Sequence, residues 1–281
     1  MLAAEHRILI VAFDGLQLDQ VTPQLMPNLS MLASDGVTFM NHHPVYPSVT
    51  RTNVASMVTG CYPGKHGLVA NNLLIRDFNP NQSIPALEPE LTKVFKNTGR
   101  VLLVPTLADI LYNNGMEFIA IGTGTSGNAY IQNPNAESKG GITIHPDFCL
   151  PRRLHRELLK RFGDWPAKEI PNTPLIKHAV QIMTNYILLE RNPTVALIWF
   201  SEPDSSQHKQ GVGSKIAVNS LRSADEQLGK LLKWLEETNR IAQTDILIVS
   251  DHGYSTIKSV VDIEMEMVKV GFRTKGAEQK V

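Results

Sequence analysis

Cysteine is nearly absent from this chain. Its 281 residues include two, Cys61 and Cys149, and neither stands in a CxxC pair. A disulfide framework is therefore excluded, and cysteine chemistry is not the organising theme. Net charge is missing as well: 27 Lys and Arg balance 27 Asp and Glu, with no basic block among them. Bulk charge thus gives no support to a nucleic-acid-binding surface. Long apolar runs are also lacking. The N-terminal run Ile8 to Phe13 is far too short to cross a membrane and has neither the n-region nor the cleavage site of a signal peptide. It is expected as a buried first strand. The compartment is left open, cytoplasmic by default and exported if a leader has been removed.

At 42% hydrophobic and 19% charged, the chain sits within the globular range. Nearly continuous apolar runs at Arg7 to Phe13, Glu117 to Gly122, Val195 to Ser201 and Asp245 to Ser250 predict strands buried on both faces. Helical patterns lie between them at Met26 to Ser34, Arg51 to Thr59, Pro105 to Asn114, Pro171 to Glu190 and Ser214 to Glu237. The alternation predicts an α/β fold, a mostly parallel sheet with helices on both faces. Loop composition dominates from Asn71 to Arg100 and from Thr123 to Pro151, and no repeat, low-complexity tract or linker divides the chain.

In such sheets the functional groups gather past the carboxyl ends of the strands. Three of the four predicted strands run into acidic residues there: Asp14-Gly15, Glu202-Pro203-Asp204 and Asp251-His252-Gly253. A single strand-end Asp is commonly a helix N-cap. Three together, two with a histidine, point to metal binding. Asp204 and His208 are four apart, so a helical turn brings both to one side. Asp251 and His252 are adjacent where Gly253 permits a sharp turn. Carboxylate with imidazole suits zinc, and less selectively manganese or iron, and two such pairs suggest two metals. Thr50 falls near a helix N-terminus, where amide groups and the macrodipole favour an anion.

The set Asp14, Pro47-x-x-Thr50-x-x-Asn53, Thr59-Gly60-x-x-Pro63-x-x-His66-Gly67, Glu202-Pro203-Asp204-x-x-x-His208 and Ser250-Asp251-His252-Gly253 resembles the nucleotide pyrophosphatase/phosphodiesterase family of the alkaline phosphatase superfamily. The resemblance spans residues 8 to about 256. It implies an alkaline-phosphatase-like fold in which Asp14, Thr50, Asp251 and His252 surround one zinc, while Asp204 and His208 belong to a second. It further implies that Asn53 donates to a non-bridging phosphoryl oxygen. The implied reaction is metal-dependent hydrolysis of phosphodiester or nucleotide pyrophosphate bonds in a small-molecule substrate, through a covalent phospho-threonine. The rival expectations are a phosphonate hydrolase or phosphomonoesterase of the same superfamily and a non-catalytic metal-binding fragment.

Two departures stand out. The family's second metal takes a further histidine downstream, yet none follows His252; His42 or His43 is a weak substitute. The expectation is one catalytic core over residues 1–281, lacking the C-terminal part that completes the family's metal site. Where nucleotide-cleaving relatives carry an aromatic residue after the nucleophile, this chain has Arg51, suited to a second phosphate or a carboxylate or simply to solvent.

Two other motifs are set aside. Cys61-Tyr-Pro63-Gly-Lys65 is similar to a sulfatase pattern, but the residue that spacing places as nucleophile is Thr50, which leaves Cys61 as a small buried residue. Gly122-Thr-Gly124-Thr-Ser-Gly127 fits GxGxxG, but the following residues show no helical period, and a flexible loop is expected. The leucines of Ser214 to Glu237, and Trp165 and Trp234, are read as core or rim.

Overall fold

The computed structural model describes residues 6–272 and residue 274. Its strands in chain order are β1 (Arg7–Phe13), β2 (Asn72–Leu73), β3 (Ile84–Pro85), β4 (Phe118–Gly122), β5 (Ile142–His145), β6 (Phe148–Leu150), β7 (Val195–Phe200) and β8 (Thr244–Val249). Six of them form one sheet in the order β6-β5-β4-β7-β1-β8, parallel except for the β5–β6 pair; β2 and β3 form a small antiparallel pair.

The helices are α1 (Pro27–Asp35), α2 (Thr50–Thr59), α3 (Pro63–His66), α4 (Glu88–Thr98), α5 (Leu107–Asn113), α6 (Ser126–Gln132), α7 (Ala136–Lys139), α8 (Arg153–Phe162), α9 (Thr173–Ile182), α10 (Asp204–Gln210), α11 (Lys215–Glu237) and α12 (Ile263–Lys269). A π-helical stretch, Met183–Arg191, continues α9 and ends at Asn192 in the left-handed region.

Strand alternation separates two apolar layers. Leu9, Val11 and Phe13 of β1, with Ile119, Ile121 and Ile198, face one core closed by α1, α8, α9 and α11. Ala12, Ala120, Leu197 and Trp199 face the other, closed by α2, α4, α5 and α6. Every residue of β7 is buried, as a central parallel strand requires. By contrast β8 pairs only with β1 among the described residues, and Leu247 on it is 44% exposed. Trp165 and Trp234 pack partly buried against the first core.

The two stretches expected as loops carry more structure than their composition suggested. Residues 71–100 include β2, β3 and α4; residues 123–151 include α6, α7, β5 and β6. The GxGxxG segment does open a helix, α6, with Thr125 accepting from Asn128 N at 3.3 Å. The helix ends at Gln132, before Pro134, so it is too short to show a period over the residues that follow the motif, and it packs closely: a Cβ on Gly127 would lie 1.8 Å from Ala86 O.

One buried carboxylate ties the helical layer together. The N-cap of α1, Met26, supplies no acceptor of its own. Asp225 of α11 accepts instead from Asn28 N at 3.0 Å and Leu29 N at 2.8 Å, and from Asn28 Nδ2 at 2.8 Å. Replacing it strands buried donors, so Asp225→Ala is expected to lower unfolding free energy by about 2 kcal/mol, read as an earlier urea midpoint.

Candidate metal centre

β1, β7 and β8 end side by side, with Phe13 opposite Phe200 and Ala12 opposite Val249. Their acidic extensions are stitched by backbone and side-chain bonds. Asp14 N donates to Phe200 O and Asp204 N to Asp14 O, each at 3.0 Å. Gly15 N donates to Asp251 Oδ1 at 3.1 Å. Gly15 has φ +71°, and a Cβ there would lie 3.0 Å from Asp204 Cβ, so only glycine lets the first strand end lie against the second.

One ligand atom from each of Asp14, Asp204 and His252 lies within 4.8 Å of the other two. The Asp14 carboxylate accepts from Trp199 Nε1 at 3.1 Å through Oδ2 and from Thr50 Oγ1 at 3.5 Å through Oδ1. His252 Nε2 lies 3.2 Å from Thr50 Oγ1, 3.5 Å from Asp14 Oδ1 and 3.3 Å from Asp251 Oδ2. Its Nδ1 lies 2.9 Å from Gly253 O, an acceptor only, so the Nδ1 proton is held there and the Nε2 lone pair faces the acids. His208 also turns Nε2 toward an acid: Nδ1 is 3.0 Å from the Tyr254 hydroxyl, where either group can donate, and Nε2 is 3.4 Å from Asp204 Oδ1.

The residues fit a bound cation. Asp204 Oδ1 and Asp251 Oδ2 are buried without a hydrogen-bond partner, a condition that is costly unless a positive charge completes it. Burial pushes the Asp14 carboxyl well above the usual range, and the Asp251 and Asp204 charges push the same way. Burial also raises Asp204, against the pull of His208 and His252, and raises Asp251, against the pull of His252. Lys168 is near enough to Asp204 to favour its charged form.

The type I phosphodiesterase / nucleotide pyrophosphatase family profile matches residues 8–271. The chain belongs to this family. It is 26% identical over 231 residues to human ectonucleotide pyrophosphatase/phosphodiesterase family member 1, covering 82% of this chain and 21% of that protein. Over 252 residues it is 24% identical to the venom phosphodiesterase of Macrovipera lebetinus, covering 89% and 26%. Mouse family member 7 is 22% identical over 257 residues, with 90% and 51% covered. The chain therefore spans between about a fifth and about a half of these relatives. Murine ectonucleotide pyrophosphatase/phosphodiesterase 5, in a structure of an inactive variant in complex with AMP, superposes with a TM-score of 0.63 at 17% identity, covering 88% of this chain and 57% of that one. The fold of this family member is accordingly the alkaline-phosphatase-like α/β arrangement.

Of the residues picked out by sequence, Asp14, Thr50, Asp204, His208, Asp251 and His252 are brought to this one place by the contacts above. Asn53 is employed differently. Its Oδ1 accepts from Val45 N at 2.8 Å, while Nδ2 donates to Val49 O at 3.1 Å and Pro47 O at 3.4 Å. No amide proton is left for a phosphoryl oxygen, so the expected donor is instead a brace for the turn before Thr50. His42 and His43 are exposed and outside the cluster. His66 is buried against Ser56 and Leu68. Cys61, half-buried, lies past the far end of α2, about 15 Å of helix from Thr50.

Two participants were not anticipated. Trp199, within the expected buried strand Val195 to Ser201, donates to Asp14, and Tyr254 backs His208. Asn71 keeps a buried side-chain oxygen without a partner while its backbone oxygen accepts from Arg51. The only sequence sign for Tyr254 was its place two residues after His252.

The raised carboxyls have a defined sign. The folded chain holds protons that the unfolded chain releases near pH 3.9, so without a cation stability falls as pH rises through that value toward the folded ones. In chelator at pH 7, Asp14→Asn is expected to melt several degrees above the parent, with the difference vanishing below about pH 3.5, where both states are protonated. Thermal melts across pH check this.

Proposed function

We propose that this chain hydrolyses phosphodiester or nucleotide pyrophosphate bonds with divalent cations, most suitably zinc, and with Thr50 as the nucleophile. The observation that carries the proposal is the position of Thr50 Oγ1, 3.5 Å from Asp14 Oδ1 and 3.2 Å from His252 Nε2 at the first turn of α2. The relatives' names support nucleotide-like substrates.

Asp14, Asp251, His252 and Thr50 would hold one cation, and Asp204 with His208 the second. A cation bound there supplies Lewis acidity, making the hydroxyl more acidic and offsetting charge on the transferring phosphoryl group. The protein's own residues supply position. Asp14 and His252 fix the Thr50 oxygen. Trp199 holds the Asp14 carboxylate in turn. Val49, the N-cap of α2, offers no side-chain acceptor, so the amide donors of the first turn face an incoming anion. The Thr50 oxygen then bonds to phosphorus as the leaving oxygen departs, and water cleaves the resulting phosphoester to restore Thr50.

Tyr254 holds His208 with Nε2 toward Asp204. Loss of such a partner typically weakens metal binding about 10- to 100-fold, the range expected for Tyr254→Phe in a zinc titration of the second site.

With zinc present, the chain is expected to turn over a chromogenic nucleotide diester faster than the matching monoester. Thr50→Ala should lower the diester rate at least about 1000-fold. A faster monoester would instead favour a phosphomonoesterase, and zinc binding without turnover of either ester would leave a metal-binding module.

A further inference from the structure

We propose that Arg51 receives a second anionic group of the substrate, a phosphate or carboxylate carried beside the scissile phosphorus, so that this site selects phosphodiesters or pyrophosphates with a further negative charge. The proposal rests on Thr50 being the nucleophile, since α2 fixes Arg51 one residue beyond it.

Arg51 is half-buried, yet no carboxylate pairs with it among the described residues, whereas Arg152, Arg161 and Arg191 each pair with a glutamate. Nor does it lie over an aromatic face, as Arg152, Arg161 and Arg240 do. Its polar contacts are two long ones to neutral oxygens, Nε to Thr125 Oγ1 and Nη1 to Asn71 O, both at 3.4 Å. A guanidinium has more donors than these two acceptors use, and partial burial without a counter-charge is unfavourable.

The surroundings keep this cation in place without neutralising it. A Cβ on Gly127 would lie 3.1 Å from Arg51 Nε, so the glycine leaves the slot in which the side chain rests. Thr125, on the other wall, follows β4, two strands from β1 and its Asp14. The guanidinium therefore stands beside the acidic cluster rather than within it. Its remaining donors suit the paired oxygens of a phosphate or carboxylate, and a neutral group would leave them unmatched.

The test uses p-nitrophenyl phosphodiesters whose other arm ends in a hydroxyl, a carboxylate or a phosphate, hydrolysed by the zinc-loaded chain and by its Arg51→Ala and Arg51→Lys variants. The parent is expected to show kcat/KM at least about tenfold higher for one or both charged arms than for the hydroxyl arm. Arg51→Ala should bring that ratio close to one, and Arg51→Lys should keep part of it. A preference for only one charged arm tells which oxyanion is recognised. Calorimetry with non-hydrolysable phosphonate versions of the three esters reads the same preference without turnover. Preferential binding that Arg51→Ala abolishes, in a chain that cleaves nothing, would uphold the anion site while rejecting the hydrolase. Equal treatment of all three arms by the parent, or a charged-arm preference that survives in Arg51→Ala, would overturn the proposal.

Discussion

Three carboxylates, those of Asp14, Asp204 and Asp251, are held together at the ends of three neighbouring strands, and two of their oxygens have no hydrogen-bond partner. Water could solvate such groups cheaply; burial at one strand-end crevice cannot. The scaffold must therefore be rigid enough to hold charges that would otherwise separate. The sheet register, the Asp204 N to Asp14 O bond and the contact that Gly15 permits supply that rigidity. In return, the site is organised for a cation before one arrives, and the proposed reaction would need little reorganisation.

The same constraint explains the surrounding polar groups. Both histidines have one ring nitrogen occupied outside the cluster, His252 by Gly253 O and His208 by Tyr254, which leaves Nε2 of each turned toward acid. Glu202, although also a strand-end acid, is spent on Asn172 N and Ser206 N and braces the entry to α10. Asn53 is committed in the same way to residues 45–49. Arg51, on the wall toward Thr125, has no carboxylate partner among the described residues.

The central sheet was legible because buried parallel strands are nearly uniform apolar runs, and the acids that follow them stand out against that background. Long amphipathic helices such as α11 were legible for a related reason. Segments whose stability comes from tertiary contact were not. Helix α6 is only seven residues long and stops just before Pro134, and β5 and β6 are short and flanked by glycine and proline. Among site residues, Asp204 and His208 declared themselves through helical spacing. Trp199 and Tyr254 did not, because their partners are distant in sequence.

The proposed chemistry depends on a divalent cation bound among Asp14, Asp251 and His252, against Thr50. Zinc anomalous scattering from crystals of the chain tests it most directly. A strong peak is expected about 2 Å from oxygens of Asp14 and Nε2 of His252, absent from Asp14→Asn crystals treated alike. Zinc found only at exposed histidines such as His42 and His43, with none in the cluster, would contradict it.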